Sequence, residues 1–236
     1  MGGEVVLGFE GLGLNHALAA TLFSTDRTVL SESLFTNRGR TTLAEGGAGN
    51  TKGLSSFSIT LDGCEGSEPA DCYWDGEFGY RLGFRYQKAG QPTEEDIEDG
   101  VKTGDEMAYL AAAARSFELD DMTLRLLGEV AFLRHFDGGE DDALMVTGSA
   151  ALEADDLTYI ASYTQQVNMI ADGPDTSEHL ADFEVLYSPD GDKPLAETSW
   201  QLAAAYTFAM NAEHEKAHMF SVRAVFNFSG EVEFGR

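Results

Sequence analysis

The chain has little positive charge, and this shortage excludes several classes of partner. Its 236 residues contain 41 acidic and 15 basic side chains, only five of them lysines, for a formal net charge of −26. The phosphate backbone of a nucleic acid would be repelled by such a surface, so we expect no nucleic-acid partner. An anionic membrane surface would be repelled as well. Many acidic residues with few lysines are also typical of proteins from high-salt environments.

Long hydrophobic runs are missing too. No stretch of 18 or more apolar residues occurs, so the sequence predicts no membrane-spanning helix. The first residues, 1–4, lack the basic segment and apolar core of a secretion signal. Two interpretations of this start stay open: a mature exported protein behind an added methionine, or a protein outside the usual export route. The length predicts a single domain over residues 1–236, with two small domains as the alternative.

Cysteine is scarce. Cys64 and Cys72 flank a polar, turn-rich loop between two strand patterns. Their spacing fits neither a C-x-x-C redox pair nor a zinc knuckle. The sequence therefore predicts a disulfide that closes this loop, which requires an oxidising compartment. Two unpaired thiols are the alternative interpretation.

An alternation of period two is what the sequence has in abundance. It is clearest over residues 123–136, where Leu124, Leu126 and Val130 fall on one face and Arg125 and Glu129 on the other. Period two predicts a β-strand with one apolar and one polar side. Such a polar side is unusual in the core of a soluble sandwich. It is typical of a barrel with lipid outside and water inside. A soluble barrel or sandwich with the apolar face inward is the alternative interpretation.

The same alternation predicts about twelve strands along the chain. They lie near residues 4–13, 15–24, 28–36, 54–62, 76–87, 106–119, 122–136, 142–153, 157–169, 178–188, 197–210 and 217–230. Most are long enough for the roughly 9–11 residues that a tilted strand needs to cross a bilayer. The predicted fold is an all-β, antiparallel up-and-down β-barrel. Alanine-rich residues 108–115 and 201–206 are also compatible with a helix, and residues 89–106 are predicted to be a loop.

Two motifs suggest chemistry but lack the context for it. Residues 214–218 match H-E-x-x-H, in which two histidines one helical turn apart hold zinc. The match lies between two strand patterns, where His214 and His218 would not share a helical face. The glycine-rich residues 8–13 and 46–49 are not followed by the Lys-Ser/Thr of a phosphate loop. We therefore predict no catalytic residues, no metal site, no cofactor and no enzymatic activity.

The charges of the polar faces are the candidate functional residues. Seven of them are predicted to line a common interior: Arg81, Arg85, Arg125, Glu129, Asp182, Glu184 and Arg223. Opposed charges across a narrow pore create a transverse field that selects solutes by charge and size. A salt-bridged plug inside a closed small barrel is the alternative. Barrels of about twelve strands lie between those filled by side chains and those with open channels.

With these strands and faces, the chain resembles a bacterial outer-membrane β-barrel of the porin kind, and residues 220–228 have the pattern of a barrel strand. The resemblance implies a bacterial outer-membrane location, a lipid bilayer as partner and passive diffusion of small hydrophilic solutes. It is compatible with a homo-oligomer. The second hypothesis is a soluble structural β protein from a high-salt environment that self-assembles, such as a viral tail-tube or capsid-associated subunit of a virion.

Overall fold

The computed structural model describes residues 2–24, 51, 53–65, 78–92, 94–100, 103–188 and 199–227. In these residues, eleven β-strands form one antiparallel sheet in up-and-down order, in which every strand lies beside its neighbours in sequence. The all-β, antiparallel, up-and-down part of the sequence prediction is thereby confirmed.

The strands are long, and their connections differ greatly in length. They are β1 (Gly2–Gly11), β2 (Leu14–Phe23), β3 (Ser56–Cys64), β4 (Phe78–Gln87), β5 (Glu106–Leu119), β6 (Met122–Arg134), β7 (Asp142–Ala154), β8 (Leu157–Met169), β9 (Thr176–Tyr187), β10 (Ser199–Met210) and β11 (Lys216–Asn227). One short helix, α1 (Glu94–Asp99), lies between β4 and β5. Within the described ranges, no helix has both the length and the apolar character needed to span a membrane.

Most of the predicted strands are present, with ends that move by a few residues. The predicted strand at 28–36 lies outside the described residues. The alanine-rich segments 108–115 and 201–206 are in strands β5 and β10, because pairing with neighbouring strands overrides the helical preference of alanine. Within residues 89–106, predicted to be a loop, the structure contains the short helix α1 (Glu94–Asp99), because so short and acidic a segment carries no periodic apolar signal in the sequence.

The chain forms two compact units. The first comprises residues 1–114, 129–146 and 166–177, and the second comprises residues 115–128, 147–165 and 178–236. The single domain expected over residues 1–236 stays a prediction.

Three of the hairpins close with two-residue turns, at residues 12–13, 120–121 and 155–156. The first residue of each turn has a left-handed backbone: Leu12 (φ 54°), Asp120 (φ 53°) and Asp155 (φ 49°). This conformation matches the right-handed twist of the flanking strands, and aspartate tolerates it better than most residues.

The first unit places most of its large apolar side chains on one exposed face. One row crosses four strands as Leu7, Leu18, Leu61 and Leu82, each the register partner of the next. Leu7 is 59% exposed and Leu82 is 48% exposed. Aromatic rings continue this face, with Tyr109 5.3 Å from Phe84 and 6.4 Å from Phe132 between ring centroids.

The second unit repeats this arrangement in β9 to β11. Tyr206 is the register partner of both Phe183 and Phe220, and all three rings lie on one face. Phe183 is 47% exposed and Phe220 is 79% exposed. The large apolar side chains therefore lie on the surface of both units.

The buried hydrophobic residues are mostly small. Within the described residues they are Ala17, Cys64, Ala112, Leu133, Ala143 and Ala203. By strand parity, all six lie on the face opposite the large apolar side chains, together with the charged residues. This distribution inverts that of an ordinary globular sheet, in which the large apolar face is the buried one.

A glycine on the apolar face lets an aromatic ring cross a strand. Tyr80 in β4 faces Gly63 in β3, which in turn faces His16 in β2. A Cβ at Gly63 would lie 2.2 Å from the Tyr80 ring. With no side chain there, Tyr80 reaches over β3 and its hydroxyl donates to Nδ1 of His16 at 3.0 Å, while Nε2 of His16 donates to the Gly11 carbonyl at 2.9 Å.

We expect Gly63→Ala to displace the Tyr80 ring and break its hydrogen bond to His16. The expected loss is roughly 1–3 kcal/mol in the free energy of unfolding, the usual range for overpacking. Gly128→Ala is the matched control, since Gly128 also lies on the apolar face and a Cβ there meets nothing within 4 Å. Urea unfolding measures both variants, and equal stability of the two would contradict the account.

Candidate functional site

In the first unit, two arginines of β4 form ion pairs on the polar face. Arg81 and Asp62 are register partners. Nε of Arg81 lies 2.6 Å from Oδ1 of Asp62, and Nη2 lies 3.3 Å from Oδ2, so both carboxylate oxygens accept. Nη2 of Arg85 donates to Oε1 of Glu106 at 2.8 Å, and Glu106 is 4% exposed. A paired arginine is what allows a carboxylate to be buried.

In the second unit, charged pairs occur on the polar face of β9 to β11 and of β6 and β7. Nη2 of Arg223 lies 3.0 Å from Oε1 of Glu184. The arginine reaches across β10 to make this contact, and its register partner in β10 is the small, buried Ala203. Arg125 pairs with Glu153 at 3.4 Å in a more exposed setting.

Hydroxyl groups bind several of the remaining carboxylates. Thr207 donates to Asp182 at 2.6 Å. Thr21 donates to Glu4 at 3.0 Å, and Thr123 donates to Glu118 at 3.1 Å. Because the four arginines above already pair with one carboxylate each, these further carboxylates give the polar face more negative than positive charge.

The structure gives six of the seven sequence-predicted residues a polar partner, and it joins two of them, Arg223 and Glu184, to each other. Glu129 lies half-buried on β6. Their common role in lining a pore stays a prediction. The sequence analysis missed the partners Asp62, Glu106 and Glu153. Asp62 and Glu153 could have been found in the sequence, because their positions place them on the polar faces of their strands. Glu106 is the first residue of β5, so no alternation precedes it that would indicate its face.

Three connections of the first unit are hydrogen-bonded to one another at the ends of β4 to β9. The Asp105 carboxylate accepts from the Tyr86 hydroxyl and from the Ala89 backbone N–H at 2.8 Å. The Gly104 N–H donates to the Gly138 carbonyl at 2.9 Å. These hydrogen bonds hold the pKa of Asp105 below its usual range, the bond from Tyr86 having the largest effect. The link to the third connection comes from the Asp141 carboxylate, which accepts from the Ala171 N–H at 3.0 Å.

Histidine–tyrosine pairs recur on the apolar face. The Tyr163 hydroxyl lies 2.7 Å from Nδ1 of His179, and the Tyr206 hydroxyl lies 2.7 Å from Nδ1 of His218. His218 thus belongs to a strand. His214 lies in the turn before it, with φ 62°. The H-E-x-x-H residues do not share a helical face, and within the described ranges no group of three potential metal ligands occurs.

Cys64 is fully buried at the end of β3 and is disulfide-bonded. Its predicted partner, Cys72, is the only other cysteine of the chain and lies outside the described residues.

Comparison with protein-family models, with curated proteins and with solved structures finds no match for this chain.

We expect Glu106→Gln to lower the free energy of unfolding by about 1 kcal/mol, because it removes the charge from the bond between the buried Glu106 and Arg85. The effect is no larger because the Arg85 side chain is 44% exposed to solvent. Glu153→Gln is the control. Its partner Arg125 is 47% exposed and Glu153 itself is 40% exposed, so we expect the free energy of unfolding to change by at most about 0.5 kcal/mol. Urea unfolding of both variants checks the difference. A larger effect of Glu153→Gln than of Glu106→Gln would contradict it.

The lowered pKa of Asp105 predicts a specific dependence of stability on pH. A depressed carboxyl pKa stabilises the fold above the ordinary aspartate value of about 3.9, and the stabilisation is lost as the pH falls through the lowered value. We expect wild type to exceed Asp105→Asn in stability near neutral pH, with a difference that shrinks in acid. Asp172→Asn, in an exposed turn, is the control. A difference independent of pH would show that the carboxylate charge is not responsible.

Proposed function

We propose that the chain forms a closed β-barrel in a bacterial outer membrane, with its apolar face against lipid and its polar face around a pore for small hydrophilic solutes. The observation that carries this proposal is the inverted distribution of side chains. Phe220 is 79% exposed, Val5 is 64% exposed and Leu7 is 59% exposed, whereas Ala17 and Ala203 on the charged face are 5% exposed.

The free energy of hydration favours a lipid environment for this surface. Each large apolar side chain is more stable by about 1.5–3 kcal/mol when it is removed from water. A soluble monomer rarely exposes an apolar patch larger than a few hundred Å². Rows of such side chains on strand after strand are therefore better accounted for by contact with hydrocarbon than by contact with water.

Strand length and backbone bonding support a barrel that spans the bilayer. The central strands β5 to β8 have 14, 13, 13 and 13 residues, against the roughly 9–11 needed to cross a tilted path. An open sheet in lipid would leave unpaired N–H and C=O groups along its outer strands, each costing several kcal/mol. Closure would remove these edges.

The connections also support this orientation. In an up-and-down sheet, every second connection lies at the same end of the strands. The two-residue turns at 12–13, 120–121 and 155–156 all fall in one such series. Outer-membrane barrels have short turns on the periplasmic side and longer loops outside. The connections after Cys64 (β3 to β4) and after Tyr187 (β9 to β10) also belong to this series, but both are long, so they are two exceptions to the rule.

The charges of the polar face favour cations. Each of Arg81, Arg85, Arg125 and Arg223 has a carboxylate partner beside it. Glu4, Glu118 and Asp182 are bonded instead to threonine hydroxyls, which carry no positive charge to offset that of a carboxylate. Rings of acidic side chains select cations in pores, so we expect a pore that passes small cations more readily than anions.

Extraction in mild detergent followed by single-channel recording in planar bilayers tests the proposed function. We expect a shift between cold and boiled samples on an SDS gel, steady conductance, and a reversal potential in a salt gradient that indicates cation preference. The triple variant Glu4→Gln, Glu118→Gln and Asp182→Asn should reduce this preference and keep the conductance. Glu153→Gln, which removes one half of an ion pair, is the comparison variant.

A protein that is monomeric and soluble in buffer without detergent would contradict the proposed function. Rings or tubes in buffer would favour the self-assembling structural protein instead.

A further inference from the structure

A cavity of about 330 Å³ opens on the polar face of the first unit. Side chains from five consecutive strands line it, from Ser58 and Thr60 in β3 to Met145 in β7. Its volume lies at the lower end of the range for small-molecule sites.

Small side chains create the space. Gly83, Ala108 and Ala131 supply neighbouring parts of the wall on β4, β5 and β6. A Cβ at Gly83 would come within 3.2 Å of Leu110 and 3.8 Å of Thr60, so larger residues at this position would enter the cavity.

The wall is apolar on one side and polar on the other. Leu110, Leu133 and Met145 supply an apolar surface, and Leu133 is itself buried. Ser58 and Thr60 supply hydroxyls, and Arg85 is the one ionisable residue among the described lining residues of the polar face. Phe84 and Tyr109 also belong to the lining, although by strand parity their side chains lie on the apolar face. No carboxylate is among the described lining residues, although the chain as a whole is strongly acidic.

Arg85 is positioned for a second partner. Its Nη2 donates to the buried Glu106, which fixes the guanidinium at the cavity wall. This bond uses one of the five N–H donors of an arginine, and the Arg85 side chain is 44% exposed. An arginine held by a buried carboxylate and facing a cavity is well suited to bind a carboxylate ligand.

From these features we propose that the cavity binds a small amphipathic carboxylate, with its apolar body on Leu110, Leu133 and Met145 and its carboxylate at Arg85. The inference rests on the proposed function in that the polar face lines the pore. The cavity then acts as a solute-binding site within a lining that otherwise favours cations. It gives the protein a preferred class of organic solute in addition to general diffusion.

Calorimetric titration of the purified protein in lipid nanodiscs tests the inference, with hexanoate as the probe and hexylammonium and glucose as comparison solutes. We expect hexanoate to bind with a dissociation constant on the order of 1 mM or below. Hexylammonium and glucose should bind at least about tenfold more weakly, because only a carboxylate pairs with Arg85.

Two variants that place the same ring at different positions locate the site. Ala131→Phe fills the cavity and should weaken hexanoate binding by about tenfold or more. Ala151→Phe adds a ring on the polar face of β7 in the second unit and should leave binding unchanged. Arg85→Lys keeps the charge beside Glu106 but loses the planar donor pair, and it should weaken hexanoate binding while the protein stays folded.

The outcomes separate this inference from the proposed function. Steady conductance without hexanoate binding, or equal binding by Ala131→Phe and Ala151→Phe, would overturn the carboxylate site and leave the pore intact. Equal binding of hexanoate and hexylammonium would overturn the role of Arg85. Hexanoate binding that Ala131→Phe abolishes, in a protein without conductance, would support the site and contradict the pore.

Discussion

The exposure of the large apolar side chains is the constraint on which the rest of the structure depends. Alternation along each strand puts leucine, tyrosine and phenylalanine on one face, and register aligns them into rows such as Leu7, Leu18, Leu61 and Leu82. No second layer of the described structure covers these rows. In the proposed barrel, hydrocarbon would cover these rows and remove their side chains from water.

The opposite face follows from the same constraint. With the bulk of the apolar volume on the other side, this face carries mainly small residues and long charged side chains, with Leu110, Leu133 and Met145 as larger apolar exceptions. Ala203 leaves space for Arg223 to reach Glu184 across β10, and the paired Arg85 allows Glu106 to be buried. Ion pairs between close neighbours fix the arginines in position, while other carboxylates bond to uncharged threonine hydroxyls. In the proposed pore, such a lining would discriminate among solutes by charge.

Much of the fold could be predicted from the sequence because the governing signal is local. Period two identifies strands and faces without any knowledge of partners, and the predicted bounds of β5 and β8, 106–119 and 157–169, are those of the structure. Arg115 falls on the same parity as the apolar residues Tyr109 and Phe117 of β5, and the structure places its guanidinium carbon 5.3 Å from the centroid of the Phe117 ring. An aromatic neighbour lets a cation lie on an apolar face.

Contacts that depend on register could not be predicted in this way. The reach of Tyr80 over Gly63 to His16 joins residues 64 positions apart, and the sequence carries no sign of it beyond a glycine in a strand. The cavity beside Arg85 requires five strands in the correct alignment. Charged residues on a polar face could be named as candidates, but their partners at strand ends, Glu106 above all, follow only from the three-dimensional pairing.

The most direct test of the central claim is to determine which face meets lipid. A nitroxide label placed in turn at residues 124–130 of β6, in protein reconstituted into liposomes, reports its accessibility to oxygen and to a polar nickel complex. The account predicts alternation of period two, with oxygen favoured at Leu124, Leu126 and Val130 and the nickel complex favoured at Arg125 and Glu129. The opposite phase, or uniform access of the nickel complex, would contradict it.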